Sequence, residues 1–471
     1  MDYHPALLSG FFIKKPKGHF GEFNAKGFEM GKYRKLQVTP LMSFCLPLTA
    51  SIIIAQYGYD YISTHIWLIA AIMAWGFTTS CYVLTEFDHH SDLFSKKITR
   101  LINCQCLSLY VCIFAIGGYL TSHEIDKQNA PAKVESYQSL SSIDRTILKA
   151  QSFKKHLEHQ LQSYSIDQQD FAIISAMAMG DKASLDKNTK EIFSISGTSH
   201  ILAVSGLHIG IIFQLIILLL GGKRRSKLTI AVSLTAVWIY VVFIGLPPSA
   251  VRAATMLSIY SFGLLSMRPD PTLNTLAFAY IIMIFVNPLH IFEVSFQMSF
   301  LAVGSIIMFY PLFFGLLESH NNFIRGVYSL FCVSLAAQLG TLPIIVYYFG
   351  RVSCYSLLVS FVAIPAATLI LYLCAFLLIF SVFAHISGLA FAFTWLADVT
   401  VQMLGFITHV THAVFQFTSM LPGASIEDIH LSLLQLILIY IAILCFFLAF
   451  AKWNNIRNKE VKIHLFSGLP F

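Results

Sequence analysis

Between residues 41 and 450 the chain is a succession of apolar runs, most of them near the roughly 20 residues a helix needs to cross a hydrocarbon layer. They fall at 41–57, 61–84, 102–120, 199–220, 228–246, 249–266, 272–286, 294–316, 327–349, 354–383, 389–417 and 431–450. Such a pattern leaves too little polar material to cover a water-facing globule. Of 471 residues 56% are apolar and 12% charged, against about 45–50% and about 25% in an average soluble domain. A soluble enzyme, a disordered chain and a fibrous repeat are excluded. The expected fold is an all-α polytopic membrane protein with about twelve transmembrane helices. The 354–383 run exceeds one straight span, and Pro343 and Pro365 interrupt late runs. Broken or kinked helices are therefore expected in the second half.

Charge placement orients the spans. The chain carries 31 Lys and Arg against 24 Asp and Glu, a net charge of +7. With the N-terminus inside, the inner segments hold 20 of the 31 basic residues, Lys14, Lys15, Lys17, Lys223, Arg224, Arg225 and Lys227 among them. The 418–430 loop, outer in this scheme, has Glu427 and Asp428 and no Lys or Arg. Both termini are thus expected in the cytoplasm, the chain lying in the cell's inner membrane. The +7 is a topology signal rather than evidence for a polyanionic partner. The first 35 residues are basic and glycine-dotted, so no cleavable leader is expected.

This divides the chain into a basic cytoplasmic segment (1–40), three membrane helices (41–120), an outer polar segment (121–198), a membrane domain (199–450) and a basic tail (451–471). The polar segment has 9 basic and 10 acidic residues and little alternation of strand type. It reads as a linker with interfacial helices, polar from Ser141 to Gln162 and apolar from Phe171 to Met179.

No motif calls for a cofactor or a metal. Nine cysteines lie mostly in apolar runs, and Cys104 and Cys106 form a C-x-C with no second pair. Asp88-His89-His90 stands alone in a short loop, read as solvated. Gly222-Lys223 is not a phosphate-binding loop: Ile217 stands where its first glycine would fall, and Arg224 where its hydroxyl would. The chain is expected to be no enzyme and to have no catalytic residues.

The densest polar interruption of an apolar run is Gly197 to Gly210, with Ser205 and His208 three residues apart, within mutual hydrogen-bond reach on a helix. A helix entering near Ser199 would carry His208 about 13 Å deep, near the bilayer midplane. Gly206-x-x-x-Gly210 is also a close-packing motif, so packing and path-lining both account for it. A Ser-His nucleophile would lack a third member. Other polar groups in or beside spans are Arg252, Glu293, Gln297, Gln338, Asp398, His409 and His412. Intramembrane charges usually face a bundle interior or wet cavity. Arg252, after the tight turn Gly245-Leu-Pro-Pro-Ser-Ala, either snorkels to headgroups or meets an anion at the outer mouth. Glu293 and Gln297 share a helical face, suited to an interhelical hydrogen bond or a path wall.

Four stretches resemble the ComEC family of competence proteins, inner-membrane channels for single-stranded DNA. They are Met177-Ala-Met-Gly-Asp181 continuing through Ser199 to Gly210, Pro248-Ser-Ala-Val-Arg-Ala-Ala254, Asn287-Pro-Leu with Ser295 to Val303, and Ala337-Gln-Leu-Gly-Thr-Leu-Pro343 running on to Pro365. The resemblance covers roughly 165–385, and its specific core is Leu-Ala-Val-Ser-Gly-Leu-His. It implies a path for a nucleic-acid strand during natural transformation, with Ser205, Gly206, His208, Arg252, Gln297, Gln338 and Pro343 at motif positions. Glu293, Asp398, His409 and His412 are secondary candidates. Many family members also carry an outer oligonucleotide-binding fold, for which 121–198 is too short. Many end in a metallo-β-lactamase-like domain, for which no H-x-H-x-D-H follows the last span. A separate outer DNA receptor, a nuclease and a cytoplasmic motor would then be partners, and a homo-oligomer is compatible. Two other readings stay open: a secondary transporter of a small solute, proton-coupled through Asp398, His208 or His409, and a reduced family member without transport activity.

Overall fold

The computed structural model describes residues 40–88, 95–129, 148, 150–152, 154–155, 157–158, 161–162, 164, 166–222, 226–265, 273–317, 321–386 and 390–467. The basic segment 1–39, His89 and His90, Ser141 and Lys223 to Arg225 lie outside them. Among the described residues each of the twelve apolar runs falls mainly on helix, the 199–220 run on two, as a bilayer favours for backbone that has no water to bond. In chain order the helices are α1 (Pro40–Tyr57), α2 (Thr64–Asp88), α3 (Ser95–Asn129), α4 (Gln168–Ile174) with a π-helical turn (Ser175–Met179), α5 (Lys187–Ile195), α6 (Ser199–Leu202), α7 (Gly206–Leu219) and α8 (Lys227–Phe243). Then follow α9 (Pro248–Leu265), α10 (Leu273–Val286), a 3-10 turn (Pro288–Phe292), α11 (Val294–Phe314), α12 (Asn322–Phe349), α13 (Ser356–Ile386), α14 (Ala390–Ser419) and α15 (Leu433–Ser467). Among the described residues the only strands are β1 (Val352–Ser353) and β2 (Ser425–Ile426), paired antiparallel with Val352 opposite Ile426.

Among the described residues six helices, α2, α3, α11, α12, α13 and α15, are long and apolar enough to cross a membrane; α1, α7, α8 and α10 are apolar but shorter. Only 11% of the apolar stretch of α2, and 11% of that of α15, is buried inside the protein. Ile69, Met73, Trp75, Leu434 and Leu438 stand exposed on them. Long helices that are apolar on their exposed faces are in their proper solvent only in lipid. The chain is a multi-pass membrane protein.

Two compact units divide it. The smaller comprises Ala25–Ser136 and Pro271–Phe300. Its helices pack through small residues: a side chain on Gly118 would run into the Trp67 ring, and one on Gly117 would meet Leu48 Cδ1 at 2.9 Å. That close approach of α3 to its neighbours is the usual means of joining helices in lipid. Short polar ties add direction, Thr49 Oγ1 to the Tyr280 hydroxyl at 2.6 Å and Leu41 N–H donating to Asn274 Oδ1 at 3.2 Å.

The larger unit contains the remaining described residues and three apolar cores. One joins α7, α8 and α9 around Ile209, Val237, Val241 and Ala254. A second packs Phe309 and Phe313 of α11 against Cys332 and Ala336 of α12 and Phe447 of α15. The third sets α13 and α14 against the α4–α6 stretch, with Phe193 edge-on to Phe415 at 5.0 Å between centroids. The polar stretch 121–198 does carry short helices, but Phe171 to Met179 are buried in this core rather than spread on a surface.

Two expectations change. Pro343 and Pro365 do not break their helices; α12 and α13 run through them. Pro343 removes one rung, and the Tyr440 hydroxyl donates to the nearby Gly340 carbonyl at 2.9 Å. The real interruption is in the 199–220 run. Ala203 and Ser205 are extended (φ −99°, ψ 140° and φ −117°, ψ 174°), so α6 ends at Leu202 and α7 begins at Gly206. His208 therefore belongs to the first turn of a new helix and not to the middle of a continuous one.

Candidate functional site

The unwound turn 203–205 is held from two directions. Val204 offers its carbonyl to the Ser249 hydroxyl at 2.6 Å, which ties the turn to the first residues of α9. Ser205 precedes α7, and the His208 ring folds back over it: Ser205 N–H donates to His208 Nδ1 at 3.2 Å, and Ser205 Oγ lies 2.9 Å from the same nitrogen. The expected Ser205–His208 pair exists, in the manner of an N-terminal cap.

This pairing settles the chemistry of the ring. A nitrogen that accepts from an N–H carries no proton, so Nδ1 is bare and the imidazole proton sits on Nε2. His208 is fully buried, and among the described residues Nε2 has no hydrogen-bond partner. The site thus presents a neutral donor with nothing to donate to, inside apolar packing. An unmet buried donor costs about 1–3 kcal/mol, a cost usually kept for a reason.

Gly206 and Arg252 complete the cluster. Gly206 faces α9 closely; a side chain there would lie 3.5 Å from Ala253 Cβ. Arg252, on the next residue of α9, is buried at 5% exposure, so it is not spread over the molecular surface toward headgroups. Ser205, Gly206 and His208 lie where α7 begins, against the start of α9, which carries the buried Arg252.

The other motif residues are set within their own segments. Gln297 donates to the Ile291 carbonyl at 2.8 Å, and Glu293 Oε1 sits 2.7 Å from His290 Nδ1. Both ties are local, where an interhelical bond was one expectation. Gln338 is half-buried and Pro343 buried along α12, and Asp398 is exposed on α14.

His409 and His412 enter a second polar cluster, whose other members the sequence did not point to. His409 Nδ1 lies 3.5 Å from Asp170 Oδ2, and Gln169 Nε2 reaches His412 Nε2 at 3.2 Å and Thr189 Oγ1 at 2.9 Å. Thr189 belongs to α5, whose N-terminus Asp186 caps by accepting the Thr189 N–H at 3.2 Å. Burial pushes the Asp170 carboxyl above the usual range, with His409 pulling the other way. The Thr189 hydroxyl holds Asp186 below it. A polar residue opening an apolar stretch, as Asp170 does before Phe171, was the available signal.

Arg351 is engaged already. Its guanidinium meets Glu427 Oε1 at 2.7 Å and donates to Ser194 Oγ at 2.8 Å. Among the described residues no three of His, Cys, Asp and Glu are placed to hold a metal ion.

The architecture defines a class: a polytopic helical membrane protein with an unwound, histidine-capped turn inside an apolar run. The particular family follows from sequence comparison. The competence protein family profile matches residues 177–453, and the chain belongs to that family. It is 31% identical to ComE operon protein 3 of Bacillus subtilis over 239 residues, 50% of this chain and 29% of the relative. It is 26% identical to Recombination protein 2 of Haemophilus influenzae over 226 residues, 45% of this chain and 28% of the relative. A third relative, the uncharacterized protein YcaI of Escherichia coli, is 25% identical over 280 residues, 58% of this chain and 36% of the relative. The chain therefore spans about a third of the length of these relatives. No solved structure matches it.

Proposed function

We propose that this chain forms part of an inner-membrane passage for single-stranded DNA during natural transformation, with both termini cytoplasmic. The observation that carries the reading is the Val204–Ser205 turn. It opens backbone and a neutral imidazole donor within an apolar run, at the family's most specific motif. Irregular backbone at membrane depth is tolerated where it lines a cavity or is buried in protein. Passage of a polyanion ordinarily draws on Lys and Arg. Here Arg351 is paired with Glu427, and Arg252 lies buried in the first turns of α9, the helix that Ser249 ties to the turn. A strand in such a passage is held loosely, which suits one pulled from the inside. These residues supply no catalytic step in this reading; they take part in passage alone.

The test is made in a transformable host lacking the gene, following labelled DNA into the cytoplasm. Complementation by the wild-type chain should restore entry, and His208→Ala or Arg252→Ala, both inserted normally, should not. Entry at normal frequency with both variants would remove the turn from the path. Entry without the gene would remove the chain from the process and favour the small-solute transporter, for which the Asp170–His409 pair is the proton-coupling candidate.

A further inference from the structure

The larger unit encloses an apolar cavity of about 380 Å³ bounded by α7, α8, α13 and the helical residues between 148 and 162. Its walls include Leu161, Ile212, Ile216, Ile239, Leu371 and Ala375. We propose that this cavity holds an acyl tail of a membrane phospholipid, whose phosphate is met by Lys154 and Lys155.

Water does not fill such a space. A buried water needs two to four polar partners, and the cavity offers almost none: the Tyr240 hydroxyl at its edge already donates to the Ala178 carbonyl at 2.9 Å. The volume falls in the range of about 300–1,000 Å³ that takes organic ligands. Ile239, at the mouth, is 64% exposed. An exposed isoleucine on an apolar helix marks a surface that meets hydrocarbon, so the opening faces a reservoir of tails.

The charges identify a lipid rather than a free hydrocarbon. Lys154 precedes Leu157 by three residues and Leu161 by seven, which on a helix places all three on one face. Leu157 and Leu161 are buried at 6% and 5% exposure and line the cavity. Lys154 Nζ lies 3.9 Å from Glu158 Oε1, and that carboxylate also accepts from Ser175 Oγ at 3.3 Å. Lys155, exposed one residue on, has no ion pair among the described residues. Asp181 is the other acid near Glu158. Long lysine stems carry their ammonium groups to the edge of an apolar surface, and the stretch that carries Leu157 and Leu161 sets two cations, Lys154 and Lys155, against the nearer carboxylate, Glu158. The inference is independent of the DNA reading, and nothing in it requires transport.

The full chain purified from membranes should retain about one phospholipid per molecule after detergent exchange, measured by mass spectrometry of extracted lipid. Ala375→Phe and Ala236→Phe fill the cavity from facing helices, and each should lower retained lipid about tenfold while the protein stays monodisperse. Lys155→Gln should lower it less. Retention unchanged in both cavity-filling variants would mean lipid bound elsewhere on the surface and would overturn the proposal, as would a wild-type chain stripped clean. A readout without mutation uses Cys374, which lines the cavity. Adding phosphatidylglycerol vesicles to the delipidated chain should slow maleimide labelling of Cys374 about fivefold, and unchanged labelling counts against the tail.

Discussion

Two polar islands sit in the same unit and are built in opposite ways. The turn at 203–205 takes its His208 and Ser205 groups from four consecutive residues and borrows one tie, Ser249, from the next helix but one. The cluster at Asp170 is assembled from α4, α5 and α14, with 243 residues separating Gln169 from His412. The first is buried and holds a donor unpartnered among the described residues; the second has an exposed His409 and a buried acid sharing one contact. Polar groups close in sequence can be fixed in a strained, unsatisfied arrangement by helix geometry alone. Groups gathered from distant elements persist only if they satisfy one another.

That contrast can be broken from its strongest point. Gly197 leads into α6 with φ +78°, and a Cβ there would come within 2.6 Å of Ser356 Cβ and 2.9 Å of Ser353 Cβ. Gly197→Val should cost about 3 kcal/mol or more, from left-handed strain plus overpacking. It should show as lost folded yield and a lower melting temperature in detergent. His208→Ala removes the cap of α7, a loss of about 1–2 kcal/mol, offset in part by deleting the orphan Nε2 donor. A small stability change with abolished DNA entry would sharpen the contrast; a large one with normal entry would make His208 purely structural.

The Asp170 cluster should respond more weakly and with pH. Burial raises the folded-state pKa of Asp170 above its unfolded value. Its contribution to stability is therefore full below the ordinary aspartate range, about 3.9, and is lost as pH rises through the raised value. Asp170→Asn should melt higher than wild type at pH 8, with the difference closing on acidification. The opposite trend would show that the His409 partnership outweighs desolvation. Arg351→Lys should change least, at most about 1 kcal/mol, because Glu427 is half exposed and such pairs contribute little.

How much was legible follows the same division. The apolar runs became mostly helix, the 199–220 run as two, because the length of such runs leaves a bilayer few alternatives. The Ser205–His208 pair was also readable, being three residues apart. The unwinding at Ala203–Ser205 was not, since the run contains no proline and its one anchoring acceptor, the Val204 carbonyl, is claimed by Ser249 from 45 residues away. Pro343 brings no break: α12 continues through it, with the Tyr440 hydroxyl, 97 positions on in the chain, bonded to the nearby Gly340 carbonyl. The Asp170 cluster left almost no trace, because its partners share no motif.

The short β1–β2 pair has a mechanical meaning. Besides its two rungs, Cys354 N–H donates to the Ala424 carbonyl at 3.0 Å, Ile429 N–H to the Gly350 carbonyl at 3.0 Å, and Arg351 grips Glu427. One of these loops joins α12 to α13 and the other joins α14 to α15, so the ends of four long helices meet at a single rivet. The rivet therefore fixes the ends of α12, α13, α14 and α15 against one another, while only three residues separate Ile386 of α13 from Ala390 of α14 at the other end. The four helices are fastened as a closed loop rather than as two independent hairpins.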